Sequence, residues 1–144
     1  MVVGYFFSKD DAYEEEVEVY AVINNIKVTL EVADDHASKA LGLSGREFLD
    51  ENDGMIFVYD KETPSLTFWM KNTLIPLDMI FLSSDFEVVY IIKNVPVCEK
   101  DPCENYTSEA DAQYVIELNS GWSEKNNLKV GESIEVKGLP QFDS

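Results

Sequence analysis

Hydrophobic and polar residues alternate along much of this chain with the period of two that marks β-strands. Over residues 14–22, Val17, Val19 and Ala21 fall on one side and Glu18, Tyr20 and Val22 on the other. Ile26, Val28, Leu30 and Val32 then alternate with Lys27, Thr29 and Glu31. Asn24 and Asn25 separate the two runs, and because asparagine tolerates positive φ they predict a two-residue hairpin. Residues 55–59, MIFVY, form an unbroken apolar run of strand length, as expected for a central strand buried on both faces. Residues 60–64 read as a loop. In residues 66–71 parity places Leu66, Phe68 and Met70 on one face and Thr67, Trp69 and Lys71 on the other. Pro76 lacks an N–H and ends that run; residues 77–82 resume as a strand with Asp78 inside it. Strands are also expected at 87–92, 113–119 and 133–136, with an irregular stretch over 93–111.

Two short helices complete the pattern. Asp34-Asp35 can cap one that runs from His36 to Leu41 and stops near Gly42 or Gly45; Asn119 or Ser120 can cap another through Trp122 and Lys125. About eight strands and two short helices, joined by hairpins rather than long crossovers, define a mostly β member of the α+β class. The expected form is an antiparallel curled sheet or a small β-barrel. A single globular domain is expected over residues 14–138. Residues 1–13 read as a flexible segment or the stub of an anchor, and residues 139–144 as a tail.

Composition agrees with an ordered globule. Of 144 residues, 45% are hydrophobic and 12% aromatic, enough to build one sizeable core. The net charge of −17, with Arg46 as the sole arginine, opposes nucleic acid, whose phosphates are held by clustered Lys and Arg. The same charge disfavours anionic membrane surfaces. No run approaches the roughly 18 apolar residues of a spanning helix. Met1 to Phe7 is apolar and gives way abruptly to Ser8-Lys-Asp-Asp11, so it reads as an edge strand or as the remnant of a signal or anchor. A monomer is expected.

The candidate chemistry gathers in residues 65–81, SLTFWMKNTLIPLDMIF, where polar groups interrupt an apolar run and have to be paired or used. Trp69 and Lys71 share a face, so an aromatic plane and an ammonium lie two residues apart, suited to a stacked or anionic ligand. The plainer role for Lys71 is a pairing with Asp78 or Glu117 beside a core tryptophan. Asp78 lies between Leu77 and Met79, risks burial, and should find Lys71, Arg46 or backbone donors. Glu117 and Asn119 share a face by parity. Were Asp78 and Glu117 close together, they would permit acid/base chemistry of the glycosidase kind. The single histidine, His36, excludes a His-based zinc site and leaves Ser-His-Asp catalysis little support. Cys98 and Cys103 are more suited to a short-loop disulfide than to reduced thiols, and the pairing leans toward an exported or cell-surface location. No metal or cofactor is expected.

A set of these residues resembles a known family. Gly42-Leu43 with Arg46, Gly54-Met-Ile-Phe57, Phe68-Trp-Met-Lys-Asn-Thr-Leu-Ile-Pro-Leu-Asp78, Cys98 through Pro102-Cys103 to Tyr106, Tyr114-Val-Ile-Glu-Leu-Asn119, Gly121 and Val130-Gly131 occur in the order found in domain of unknown function 192. Ser44 departs from the hydrophobic residue common at its position. The resemblance, over about residues 26–136, implies a small β-rich α+β fold with a shared site of unassigned activity; members often carry an export signal or anchor upstream. The expected function is a ligand-binding module for a small molecule or peptide. Its candidate residues are Arg46, Trp69, Lys71, Asn72, Thr73, Asp78, Glu117 and Asn119. A hydrolase or transferase using Asp78 and Glu117, and a structural domain with a buried polar network, are the alternatives.

Overall fold

Asn24 and Asn25 adopt φ of 50° and 66°, the left-handed conformation that a tight hairpin turn demands. They join β1 (Tyr20–Ile23) to β2 (Ile26–Ala33), with Ile23 opposite Ile26. The structure is a computed structural model and describes residues 17–140, so the whole of the expected N-terminal segment, with its apolar stretch Met1 to Phe7, and most of the tail lie outside the described residues.

After β2 the chain enters α1 (His36–Leu41), whose N-cap Asp35 accepts from the Ser38 N–H while Ser38 Oγ accepts from the Asp35 N–H, a reciprocal capping box. Gly42, at φ 50°, ends the helix. β3 (Asp53–Thr63) follows and lies parallel to β2, the one parallel pairing in the main sheet, which the intervening α1 crossover permits. β4 (Thr67–Trp69), β5 (Leu77–Leu82), β6 (Val88–Val95), β7 (Asn105–Thr107), β8 (Ala112–Asn119), α2 (Trp122–Lys125) and β9 (Glu135–Lys137) complete the chain.

Seven strands form one sheet in the order β6-β5-β8-β3-β2-β1-β9. The curled, mostly antiparallel sheet expected from the pattern is present, and it does not close as a barrel. Among the described residues its two ends meet at an isolated bridge between Glu87 and Ser133, accompanied by bonds from Val88 N to Glu132 O (2.8 Å), from Gly131 N to Val88 O (2.8 Å) and from Ile134 N to Phe86 O (2.9 Å). Two expectations are corrected. Residues 60–63 belong to β3 rather than to a loop, held past a bulge where the β3–β8 pairing moves from Val58–Tyr114 to Thr63–Ala112. The stretch 93–111 contains β7, which pairs with β4 as a separate two-stranded ribbon.

The sheet has a core on each face. Every one of its seven strands contributes to the first, which holds Ala21, Leu30, Ile56, Ile80 and Ile116 and is plugged by Trp122 and Leu128; contributions from both ends of the sheet make this the inside of the curl. The second core, on the outer face, holds Met55, Phe57, Met79, Phe81 and Val115 and is covered by Leu43, Leu66 and Met70. Phe68 fixes the β4–β7 ribbon to this face by edge-on contacts with Phe57 (5.1 Å) and Phe81 (6.0 Å). No helix among the described residues is long and apolar enough to cross a membrane.

Candidate functional site

The ribbon and the loop after α1 do not seal the outer face completely. Between them lies a cavity of about 140 Å³, walled by Phe57, Phe68 and the Gly42–Ser44 turn, with Thr73 and Glu117 among its lining groups and Lys39, Tyr59, Trp69 and Lys71 around it. Its parts are held by backbone bonds between the two covering segments: Gly45 N donates to Asn72 O at 2.9 Å, and Ser44 Oγ donates to Lys71 O at 3.5 Å.

β8 brings Glu117 here. Its neighbours across the ladder are Met55 on β3 and Met79 on β5, so the side chain projects to the outer face among apolar groups, and only 4% of the residue is exposed. Among the described residues its carboxyl makes no hydrogen bond, and it is the only acid lining the cavity. Burial pushes its pKa up to about 8, with no cation offsetting the effect. At neutral pH Glu117 is therefore mostly a neutral acid able to donate as well as accept. Desolvation chiefly, and the Glu117 charge secondarily, raise the Tyr59 phenol above its usual range. Gly54 lets β3 approach this strand: a Cβ there would stand 2.5 Å from the Glu117 carbonyl oxygen.

The mouth is cationic and aromatic. Trp69 is 53% exposed, as the parity of its strand requires, and Lys71 Nζ lies 5.3 Å from its ring centre. Lys39, on α1, holds its ammonium 3.9 Å from the Tyr59 ring centre. Neither lysine has an acidic partner among the described residues, as is also true of Lys61, Lys93, Lys100 and Lys129; what sets Lys39 and Lys71 apart is that both line this one cavity. Lys39 and Tyr59 were not among the sequence candidates. Their only signals are a lysine on a short helix and a tyrosine ending an apolar run, and neither locates a cavity.

The structure thus brings Trp69, Lys71, Thr73 and Glu117 together and distributes the other candidates elsewhere. Asp78 pairs across the ladder with Leu118, so it lies on the opposite face of the sheet from Glu117, and the two-carboxylate arrangement required for the glycosidase-like reading is not assembled. Wholly buried, it accepts from Asn94 N (2.8 Å), Gly121 N (3.2 Å), Ser123 N (2.9 Å) and Ser123 Oγ (2.6 Å). These are the backbone donors its burial required, and Asp78 supplies from β5 the anionic cap that α2 lacks of its own. The expected caps serve other purposes. Asn119 Nδ2 donates to the carbonyls of Leu49 (2.8 Å) and Asp50 (3.2 Å), and Ser120 Oγ donates to Asn94 Oδ1 (2.7 Å).

Arg46 lies outside this cavity and forms a two-pronged pair with Glu31, both contacts 2.7 Å. That hydrogen bonding lowers the Glu31 pKa and raises that of Arg46. Asn72 faces the next depression instead, beside Lys71 and the loop closed by the Cys98–Cys103 disulfide.

Fold and site together define a small, mostly β domain whose outer face carries a cavity with a buried glutamic acid and two lysines that have no acidic partner among the described residues. Residues 19–136 match the family described as "Uncharacterized ACR", domain of unknown function 192, and the chain belongs to that family. Among solved structures it is similar to "a putative transcription regulator" from Sinorhizobium meliloti 1021, with 29% identity and a TM-score of 0.75 over 85% of this chain and 94% of that one. It is also similar to a protein of unknown function from Novosphingobium aromaticivorans DSM 12444, with 30% identity and a TM-score of 0.71 over 82% and 83% of the two chains. No curated protein matches significantly.

Proposed function

We propose that this domain is a binding module that holds a small ligand in the cavity between α1 and the β4–β7 ribbon. The observation that carries this reading is Glu117: a carboxyl with 4% exposure, lining a cavity and without a hydrogen-bond partner among the described residues. Its oxygens still open onto the cavity and are not sealed from solvent, so a ligand entering there can take a hydrogen bond that no protein group claims. Trp69 offers an exposed aromatic face over which a ligand body can stack, and Thr73 adds a hydroxyl to the lining. The name of the Sinorhizobium relative suggests regulation, but the net charge of −17 favours a small-molecule or peptide partner over direct contact with nucleic acid.

The reading is tested by amide NMR of the full chain against a library of small polar compounds. Hits are expected to shift Thr73, Phe57 and the Trp69 indole together, and to weaken about tenfold in Trp69→Ala. A library whose hits leave these three signals unmoved, or bind Trp69→Ala and Glu117→Gln as well as the parent, sinks it.

A further inference from the structure

Resting on that reading of the cavity, we propose that its ligand is a small organic anion, bound with its charged head between Lys39 and Lys71 and an uncharged hydrogen-bonding end turned inward to Glu117. Two features of the geometry point to this polarity. On a chain with 28 acidic and 11 basic residues, two lysines with no acidic partner among the described residues line one small cavity from separate elements, α1 and the segment after β4. Each ammonium is steadied over an aromatic ring, Tyr59 at 3.9 Å and Trp69 at 5.3 Å, an arrangement that positions the charge without neutralising it.

The inner end has the opposite character. Glu117 is nearly wholly buried and projects between Met55 and Met79, where burial holds it protonated at neutral pH. An anionic group placed beside it would face an acid with little solvent to screen the repulsion once ionised, whereas a hydroxyl or carbonyl exchanges a hydrogen bond with the neutral acid. Phe57 and Phe68 form the wall between the two ends, so the body of the ligand is apolar or aromatic. Size sets a further limit. A cavity of about 150 Å³ accepts one benzene ring, and this one measures about 140 Å³, so a single ring or a chain of similar bulk fills it and the head emerges beside Trp69.

The experiment titrates the full chain at pH 6.5 by calorimetry and NMR with 4-hydroxybenzoate, 4-hydroxyphenyl phosphate, 4-hydroxybenzamide and tyramine. These share a ring and an inner hydroxyl and differ in the head: carboxylate, phosphate, neutral amide and ammonium. At least one of the two anions is expected to bind about tenfold tighter than the amide, and tyramine weakest. Lys39→Ala and Lys71→Ala should each weaken the anions several-fold more than they weaken the amide, so that most of the anion preference is lost. The two anions tell a carboxylate ligand from a phosphate ester. Affinity should also fall as pH rises from 6.5 to 9 in the parent and much less in Glu117→Gln. The titratable groups lining the cavity with Glu117 are Tyr59 from β3, Lys39 from α1 and Lys71 after β4, and the variant separates Glu117 from them. Amide or tyramine binding in the cavity as tightly as the anions overturns the anion assignment and leaves the binding module standing. Failure of all four probes to perturb Thr73 and Trp69 overturns the anion assignment; if the wider library is equally silent there, the binding module falls with it.

Discussion

Glu117 carries a stability prediction because its folded pKa, about 8, stands above the ordinary carboxyl value of 4.5. Below pH 4.5 the group is protonated whether the chain is folded or not, and it contributes no pH dependence. Between those values the unfolded chain has released the proton and the folded one has kept it, so stability falls as pH rises. Above pH 8 the full difference applies, at most about 5 kcal/mol at roughly 1.4 kcal/mol per unit. Glu117→Gln should therefore gain on the parent steadily from pH 5 to pH 8.5, read as the difference between their urea unfolding free energies; a constant difference across that range sinks the assignment. Sequence parity already set Glu117 apart from Ile116 and Leu118, and Trp69 and Lys71 apart from Phe68 and Met70. It did not reveal that Asp78 and Glu117 project to opposite faces. That follows from the β5–β8 register, in which Asp78 meets Leu118 and Met79 meets Glu117, and register between strands this far apart in the chain is a tertiary property.

At the scale of elements, Asp78 links three. Its carboxylate lies on β5 and receives N–H groups from Asn94 in β6 and from Gly121 and Ser123 at the start of α2. Asp78→Asn keeps the shape but removes the charge and turns an amide N–H₂ toward backbone donors. A loss of about 3 kcal/mol is expected from weakened charge-assisted bonds and at least one unsatisfied group. Hydrogen exchange should show residues 121–125 losing protection first, while the NMR response of Thr73 and Trp69 to the anion probes is retained because the cavity lies across the sheet. Loss of the cavity response with α2 still protected would show that Asp78 serves the site after all. The hairpin and α1 were legible because their signals are local: Asn24-Asn25 for the turn, Asp35 for the α1 cap, Gly42 for its end; α2 lies where it was expected, but its anionic partner Asp78 comes from β5 rather than from the local caps Asn119 or Ser120. β7 was not, since Asn105–Thr107 is three residues without a period and is a strand only through its pairing with β4. Residues 60–63 were missed for a related reason: Asp60, Lys61 and Glu62 read as surface loop, and their strand conformation comes from β3 continuing past its bulge.

For the molecule as a whole, charge works in the same direction as Glu117. A net charge of −17 makes the folded state repel itself, and deprotonating carboxyl groups as pH rises increases that repulsion. Both effects lower stability with pH, yet they differ in their response to salt. Surface charges are screened over about 8 Å at 0.15 M salt and about 3 Å at 1 M, whereas the cost of ionising a buried acid is one of desolvation and is screened far less. Raising sodium chloride from 0.05 M to 1 M should therefore stabilise the protein more at pH 8 than at pH 5, flattening the descent without abolishing it. The remaining slope between pH 5 and pH 8 should be present in the parent and nearly absent in Glu117→Gln. If high salt removes the slope from the parent as completely as from the variant, the descent belongs to the surface, and Glu117 is solvated rather than held neutral inside the cavity.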